Sequence, residues 1–242
     1  MTIHDPVIIA LDFDTAAEAD RLVLSLGESA GFYKVGMELY AAAGMDYVRR
    51  LTDRGKRIFL DLKYYDIGET VKRAVRVASK SGAEFLSIHA VGQVMRAAIE
   101  GRGDSKMKLL AVTVLTSFSQ SDVAELGYSC DVADLVSQRV RLAMKSGMDG
   151  IIGSPLEVGS IRAEAGAMAI LVTPGVRSRG ADAGDQKRVA TPAEAVLNGA
   201  DYVVIGRQVS RAPDPAAALA AIHAELEQHA ELEQQRLTSA NA

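Results

Sequence analysis

Eight short runs of apolar, largely β-branched residues punctuate the chain, at positions 7–11, 32–35, 58–63, 85–89, 109–115, 150–153, 169–172 and 202–205. They are nearly continuous rather than alternating, as strands buried on both faces of a parallel sheet are. The stretches between them carry helix punctuation. Thr15-Ala16-Ala17-Glu18 is a capping-box sequence, and Asp14 beside it reads as a cap residue rather than a catalytic one. Pro192 and Pro213 are predicted at the first position of a helix, and Gly82, Gly147 and Gly199 just past helix ends. Eight strand–helix units in 242 residues predict an α/β fold, a single-domain (β/α)8 TIM barrel over residues 1–222. A doubly wound dinucleotide fold would carry G-x-G-x-x-G after its first strand; Ala10-Leu11-Asp12-Phe13-Asp14 contains no glycine.

The last stretch has a different texture. The hexapeptide HAELEQ occurs twice in tandem, at 223–228 and 229–234. A six-residue repeat does not return to one helix face, so it does not predict a coiled coil. Residues 223–242 are expected to form a polar helical extension that frays into a tail.

Composition narrows the function classes. The formal net charge is −4 with 24% charged residues, which speaks against a nucleic-acid surface, since neutralising phosphates takes clustered Lys and Arg. The longest apolar runs fall far short of the roughly 20 residues that cross a bilayer, and the first residues lack the basic and apolar regions of a signal peptide. The single cysteine, Cys130, has no partner for an internal disulfide, which fits a reducing compartment. A cytoplasmic protein with neither nucleic-acid nor membrane partner is expected. Of four histidines only His89 lies in the body of the chain, so a histidine-based metal site is not expected.

Barrels of this type do their chemistry at the C-terminal ends of the strands. Here those ends are charged. Asp12 closes the first strand, Lys34 lies in the second, and the third ends Asp61-Leu62-Lys63. Side chains alternate along a strand, so Asp61 and Lys63 share a face and Leu62 turns toward the helices. Asp66 follows in the loop. Three acids and two bases at one rim make a poor structural plug, because desolvating several charges costs about what their pairing returns. At the far side of the mouth, Thr173-Pro174-Gly175-Val176-Arg177 leads into a Gly-, Arg- and Asp-rich segment to about 190 that includes Gln186, and the eighth strand ends Ile205-Gly206-Arg207. Glycine lets backbone N–H groups approach phosphate oxygens and an Arg fork matches them, so Arg177, Gly206 and Arg207 are candidate phosphate contacts. The segment between them has the length of a lid.

Asp61-Leu62-Lys63-Tyr64-Tyr65-Asp66-Ile67, continuing to Thr70, resembles the signature D-x-K-x-x-D-I-P-x-T of the orotidine 5′-phosphate decarboxylase family, with Gly68 where the family has proline. Ala10-Leu11-Asp12, Tyr33-Lys34-Val35-Gly36, His89-Ala90, Val112-Thr113-Val114-Leu115-Thr116-Ser117, Thr173 to Arg177, Gln186 and Ile205-Gly206-Arg207 follow in the family's order. The resemblance implies decarboxylation of orotidine 5′-monophosphate by a homodimer with shared active sites and with neither metal nor organic cofactor. It implies that Lys63 protonates C6 of the pyrimidine and that Asp61 lies against the substrate carboxylate. Lys34 would link the ribose to Asp61, and Asp12 would hold a ribose hydroxyl. Thr116 would contact the base, Pro174 would lie near the ring, and Gln186 and Arg207 would hold the phosphate. Asp66, Ile67 and Thr70 would come from the neighbouring subunit.

Three other readings compete. Sister barrels resembling 3-keto-gulonate-6-phosphate decarboxylase or hexulose-phosphate synthase also carry D-x-K-x-x-D, but bind Mg2+ and place Glu after the second strand, where this chain has Lys34. A non-catalytic phosphoribosyl-binding barrel would be expected to have lost Asp61, Lys63 or Asp66, and all three are present. An interaction scaffold acting through the C-terminal segment has only the HAELEQ repeat in its favour. His89 reads as a hydrogen-bonded wall of the site, and Cys130 as incidental.

Overall fold

In the computed structural model, which describes residues 5–178 and 190–240 (without the side chains of 233, 234 and 236–240), eight parallel strands close into a barrel in sequence order. They are β1 (Val7–Ala10), β2 (Phe32–Gly36), β3 (Arg57–Tyr64), β4 (Phe85–His89), β5 (Lys108–Val112), β6 (Gly150–Ile152), β7 (Ile170–Thr173) and β8 (Tyr202–Ile205). The pairing Val7↔Val203 between β1 and β8 closes the ring. The helices are α1 (Ala16–Leu26), α2 (Met37–Asp53), α3 (Gly68–Ala78), α4 (Gly92–Arg102), α5 (Gln120–Glu125), α6 (Val132–Ser146), α7 (Val158–Ala165), α8 (Pro192–Leu197), α9 (Arg207–Ser210) and α10 (Pro215–Ala240).

The near-continuous apolar runs are explained by two cores back to back. Ile8, Ala10, Phe32, Phe59, Phe85, Leu110, Val112, Ile152, Val172, Tyr202 and Val204 fill the barrel interior. The alternate residues of the same strands, such as Ile9, Tyr33, Ile58, Leu60, Leu86 and Leu109, meet the helices outside. Each strand is therefore apolar on both faces.

Local signals set several helix ends. Thr15 caps α1: its hydroxyl accepts from the Glu18 N–H at 3.3 Å and donates to the Glu18 carboxylate at 2.9 Å. Asp14 is exposed and is not the cap. Thr191 and Glu194 form a reciprocal capping box, with Pro192 at the first position of α8. Gly147 ends α6 in the left-handed conformation (φ 83°), where a Cβ would be strained. Pro213 does not open a helix. Asp214 takes the cap instead, its carboxylate accepting from the Ala217 N–H at 3.0 Å, so the first position falls to Pro215. β5 ends at Val112 rather than 115; Val114 is buried because the loop roofs the core, which keeps the apolar run going past the last strand pairing.

The N-terminal ends of the strands form a sealed floor. The rings of Phe32, Phe85 and Tyr202 meet edge to face with centroids 5.2–5.5 Å apart. Arg57 lies across them, its guanidinium 4.2 Å from the Phe32 ring, forking to Glu84 at 2.7 and 2.8 Å and donating to the Tyr202 hydroxyl at 2.8 Å. Acids just ahead of the even strands clip the rest. Asp149 accepts from the Leu109 N–H at 2.9 Å and pairs with Arg102, and Asp201 accepts from the Leu171 N–H and from Arg162, both at 2.7 Å. Truncating a buried floor aromatic would cost about 3–5 kcal/mol, so the apolar floor anchors the barrel and the charged mouth is left to chemistry.

Candidate active site

The mouth of the barrel is built around an irregularity in β3. Its pairing with β4 runs Phe59↔Phe85 and Leu60↔Leu86, then jumps to Tyr64↔Ile88. A shift by two preserves which face each side chain takes, so Leu62 packs in the outer core while Asp61 and Lys63 stay at the mouth. The sequence expectation of a shared face holds, although the backbone is a bulge rather than a regular strand. Lys63 takes φ +48°, the only non-glycine residue with positive φ among the described residues. Such a backbone costs on the order of 1–3 kcal/mol and persists only where its surroundings impose it.

The charges alternate in sign. Asp12 Oδ1 lies 2.9 Å from Lys34 Nζ, Lys34 Nζ 3.9 Å from Asp61 Oδ2, and Asp61 Oδ2 2.8 Å from Lys63 Nζ. Lys34 is buried, Asp61 nearly so, and Asp12 exposed, so the row runs from the rim inward. Burial alone would push the Asp61 carboxyl up. The ammonium groups of Lys34 and Lys63, with hydrogen bonds from Lys63 and Ser87, outweigh it and hold the carboxyl below the usual aspartate value. Asp61 is therefore ionised at neutral pH.

A cavity of about 220 Å³ opens beside this row. Asp61, Lys63, Thr116, Ser117 and Pro174 supply its rim, and Phe59, Val112, Ile152 and Val204 its apolar base. Pockets for drug-sized ligands run to about 300–1,000 Å³, so this one suits a single ring and its substituents, leaving the remainder of a larger ligand at the rim. Arg207 opens α9 directly after β8 and is exposed, and Gly206 precedes it. A Cβ on Gly206 would meet only the Ala10 Cβ, at 3.8 Å. At the end of β7, Gly175 has φ 81°, and the Arg177 N–H donates to the Ala190 carbonyl at 2.9 Å. The Arg177 guanidinium donates to the Val176 carbonyl at 2.6 Å. Gln186 and most of the segment expected to act as a lid lie outside the described residues.

Of the residues singled out in the sequence, Asp12, Lys34, Asp61, Lys63, Thr116 and Pro174 thus share one mouth. Asp66, Ile67 and Thr70 do not join them within the chain. Asp66 is exposed, accepts from the Ile67 N–H at 2.6 Å and makes no ion pair among the described residues. Ile67 is 71% exposed, an unusual state for an isoleucine. His89 ends β4 half-buried, its ring 5.5 Å from that of Tyr65. Burial, then the charges of Arg139 and Lys63, lower its pKa, which favours the neutral imidazole.

Two contributors, Ser87 and Arg139, escaped the sequence reading, and a third, Gly36, entered it only within the segment Tyr33-Lys34-Val35-Gly36, with no role. Ser87 hydrogen-bonds both the Lys63 N–H and the Asp61 carboxylate, and a serine within the apolar run Phe85-Leu86-Ser87-Ile88 was the signal. Gly36 ends β2, where a Cβ would sit 2.9 Å from Lys34 Nζ and 3.2 Å from Asp12 Oδ1. Arg139, from α6, donates to the Thr113 carbonyl and, at 3.0 Å, to the Tyr128 hydroxyl, tying down the loop that carries Thr116; no local pattern marks it.

Comparison with known proteins agrees with this fold. The model of the Orotidine 5′-phosphate decarboxylase / HUMPS family matches residues 5–222. The chain is 51% identical over 224 residues to an orotidine 5′-phosphate decarboxylase of Methylorubrum populi, covering 93% of this chain and 96% of that protein. It is 50% identical over 223 residues to one from Rhodopseudomonas palustris, covering 92% and 94%. Among solved structures, an orotidine 5′-phosphate decarboxylase from Lactobacillus acidophilus superposes with a TM-score of 0.80 at 38% identity, over 91% of this chain and 98% of that one.

Proposed function

The chain belongs to the orotidine 5′-phosphate decarboxylase / HUMPS family, and from that membership we propose that it converts orotidine 5′-monophosphate to uridine 5′-monophosphate and CO2, with Lys63 as the proton donor. The observation that carries the reading is the alternating row Asp12, Lys34, Asp61, Lys63 ending at a ring-sized cavity.

Breaking the bond from C6 to the carboxylate leaves its electron pair on a carbon with no carbonyl placed to take it up as an enolate. The chain must meet that charge with its own. Lys63 does so twice: its ammonium attracts the developing carbanion, then transfers a proton to C6, and the neutral amine is reprotonated from solvent. Asp61, ionised beside Lys63, fixes that ammonium and faces the substrate carboxylate. At about 4 Å and an effective dielectric near 20, two like charges repel by about 4 kcal/mol, and the repulsion ends as neutral CO2 leaves. Lys34, between Asp12 and Asp61, joins the ribose end of the site to the reacting end. Thr116 and Pro174 contact the base, and Asp12 takes a ribose hydroxyl. Arg207, Arg177, Gly206 and Gln186 take the phosphate, whose binding energy lies far from the scissile bond and serves to position the ring.

The exposed Asp66 and Ile67, with the half-buried Thr70, are assigned to the neighbouring subunit's site in a homodimer, which accounts for an isoleucine 71% exposed and an acid with no ion pair among the described residues. The catalytic unit is assigned to residues 1–222, with 223–242 as a polar extension: Leu219 and Ile222 of α10 are buried, and Leu232 is exposed. A cytoplasmic location belongs to the same reading, as no helix among the described residues is long and apolar enough to cross a membrane. The donor set does not suit a divalent cation of the sister-barrel kind. The two acids nearest to hand, Asp12 and Asp61, each hold an ammonium within 2.9 Å.

Ultraviolet absorbance of EDTA-treated protein mixed with orotidylate tests the reading. Loss of the substrate band with one CO2 released per uridylate is expected. Activity on a keto-sugar phosphate only after Mg2+ is restored would overturn it. Lys63→Ala is expected to lower kcat by at least about 1,000-fold, within the range of a lost general acid, while the circular dichroism spectrum is unchanged.

A further inference from the structure

Three residues of β3, Asp61, Leu62 and Lys63, stand opposite one residue of β4, Ser87, because the register jumps from Leu60↔Leu86 to Tyr64↔Ile88. A bulge of that size takes backbone groups out of the ladder, and buried N–H groups need another partner. The side chain of Ser87 supplies it. Fully buried, its hydroxyl accepts from the Lys63 N–H at 2.8 Å and donates to Asp61 Oδ1 at 2.9 Å. One atom thus holds the backbone of the positive-φ lysine and the carboxylate that the lysine ammonium pairs with. An apolar side chain would fill the interior between Phe85 and His89 equally well, so packing does not call for a hydroxyl there. The task needs a short group that donates and accepts at once, which serine provides.

We propose that Ser87 is a positioning residue for the decarboxylation, its hydroxyl pinning the β3 bulge so that the Asp61 carboxylate and the Lys63 ammonium meet the substrate in a fixed arrangement. The assignment rests on the decarboxylase reading above. Ser87 touches no reacting atom; it acts through its two neighbours.

Ser87→Ala is expected to lower kcat about 10- to 100-fold, the range carried by a hydrogen bond to a charged group, with KM changed by less than about threefold. Ser81→Ala is the control. Ser81 is also buried and also accepts and donates, to the backbone of Ala83 and Ala78, but far from the mouth, and its loss is expected to leave kcat unchanged. A wild-type kcat in Ser87→Ala, or an equal loss in Ser81→Ala, overturns the proposal. Should Ser87→Ala fail to fold, the isosteric pair Ser87→Thr and Ser87→Val decides. Threonine at least about tenfold faster than valine supports the hydroxyl's role, and equal rates refute it. A second readout does not depend on turnover: the Asp61 carboxyl, followed by 13C NMR, is expected to titrate at higher pH in Ser87→Ala, having lost a donor to its charged form. Wild-type protein inactive on orotidylate would overturn the decarboxylase reading, and the Asp61 titration would still decide whether Ser87 pins the bulge.

Discussion

A methyl group on Gly36 would lie 2.9 Å from Lys34 Nζ, closer than side-chain carbons come, and would push that ammonium off Asp12. The lysine is flexible enough to move, so Gly36→Ala is expected to leave the melting temperature nearly unchanged and to lower kcat/KM for orotidylate by about tenfold or more, the scale of one charge-assisted bond. Steady-state kinetics beside a thermal melt checks this, and an unchanged kcat/KM would remove Lys34 and Asp12 from the working row. The two histidines with shifted pKa values move in opposite directions. Burial, Arg139 and Lys63 lower that of His89, so its share of stability is lost as pH falls from about 6.5 through its folded value. The Asp5 carboxylate, 3.3 Å from the His223 Nε2, raises that of His223, so its share is present below about 6.5 and lost as pH rises through its folded value. Imidazole NMR titration is expected to give midpoints on opposite sides of 6.5; both on one side would contradict the environments described. At this scale the sequence was informative where charge appeared in apolar context. Asp61 and Lys63 stood out for that reason, whereas Gly36 and Arg139 did not, since their roles exist only once β1, β2 and α6 are brought together.

The strands were legible because burial on both faces writes itself as unbroken apolar runs, and seven of the eight expected runs end within one residue of the observed strands. Runs end badly as a guide where apolar residues continue off the sheet, as Val114 does beyond β5. The starts of α1 and α8 were legible through their side-chain caps, whereas at α10 two prolines competed and Asp214 chose between them. The bulge in β3 left no trace in its own sequence, because a register jump is a property of two strands and the partner residue, Ser87, lies 24 positions from Lys63. Among the elements at the mouth, α9 is a single turn whose first residue is Arg207. Arg207→Ala is expected to lower kcat/KM more than tenfold while kcat for bound substrate falls less, as loss of a remote anchor does. An unchanged kcat/KM takes Arg207 out of the phosphate site.

For the molecule as a whole, the assignment of Asp66 to the neighbouring site makes a prediction that no single chain can satisfy. Lys63→Ala and Asp66→Ala proteins are each expected to be nearly inactive. Mixed, unfolded and refolded together, they are expected to recover about one quarter of wild-type activity, because half of the dimers are hybrids and each hybrid has one intact site. No recovery would place both residues in one subunit's site, or leave the protein a monomer.

Among the described residues, the floor of the barrel, where Arg57 spans Phe32 and Tyr202 and forks to Glu84, shows no hydrogen bond or ion pair in common with the row of charges at the mouth. Substitutions in two networks joined by no common hydrogen bond or ion pair combine nearly additively. Heat tolerance and catalytic choice can therefore drift separately in this chain: a lineage can harden its base against temperature without touching turnover, and rewrite its rim for a different phosphorylated substrate without learning to fold again.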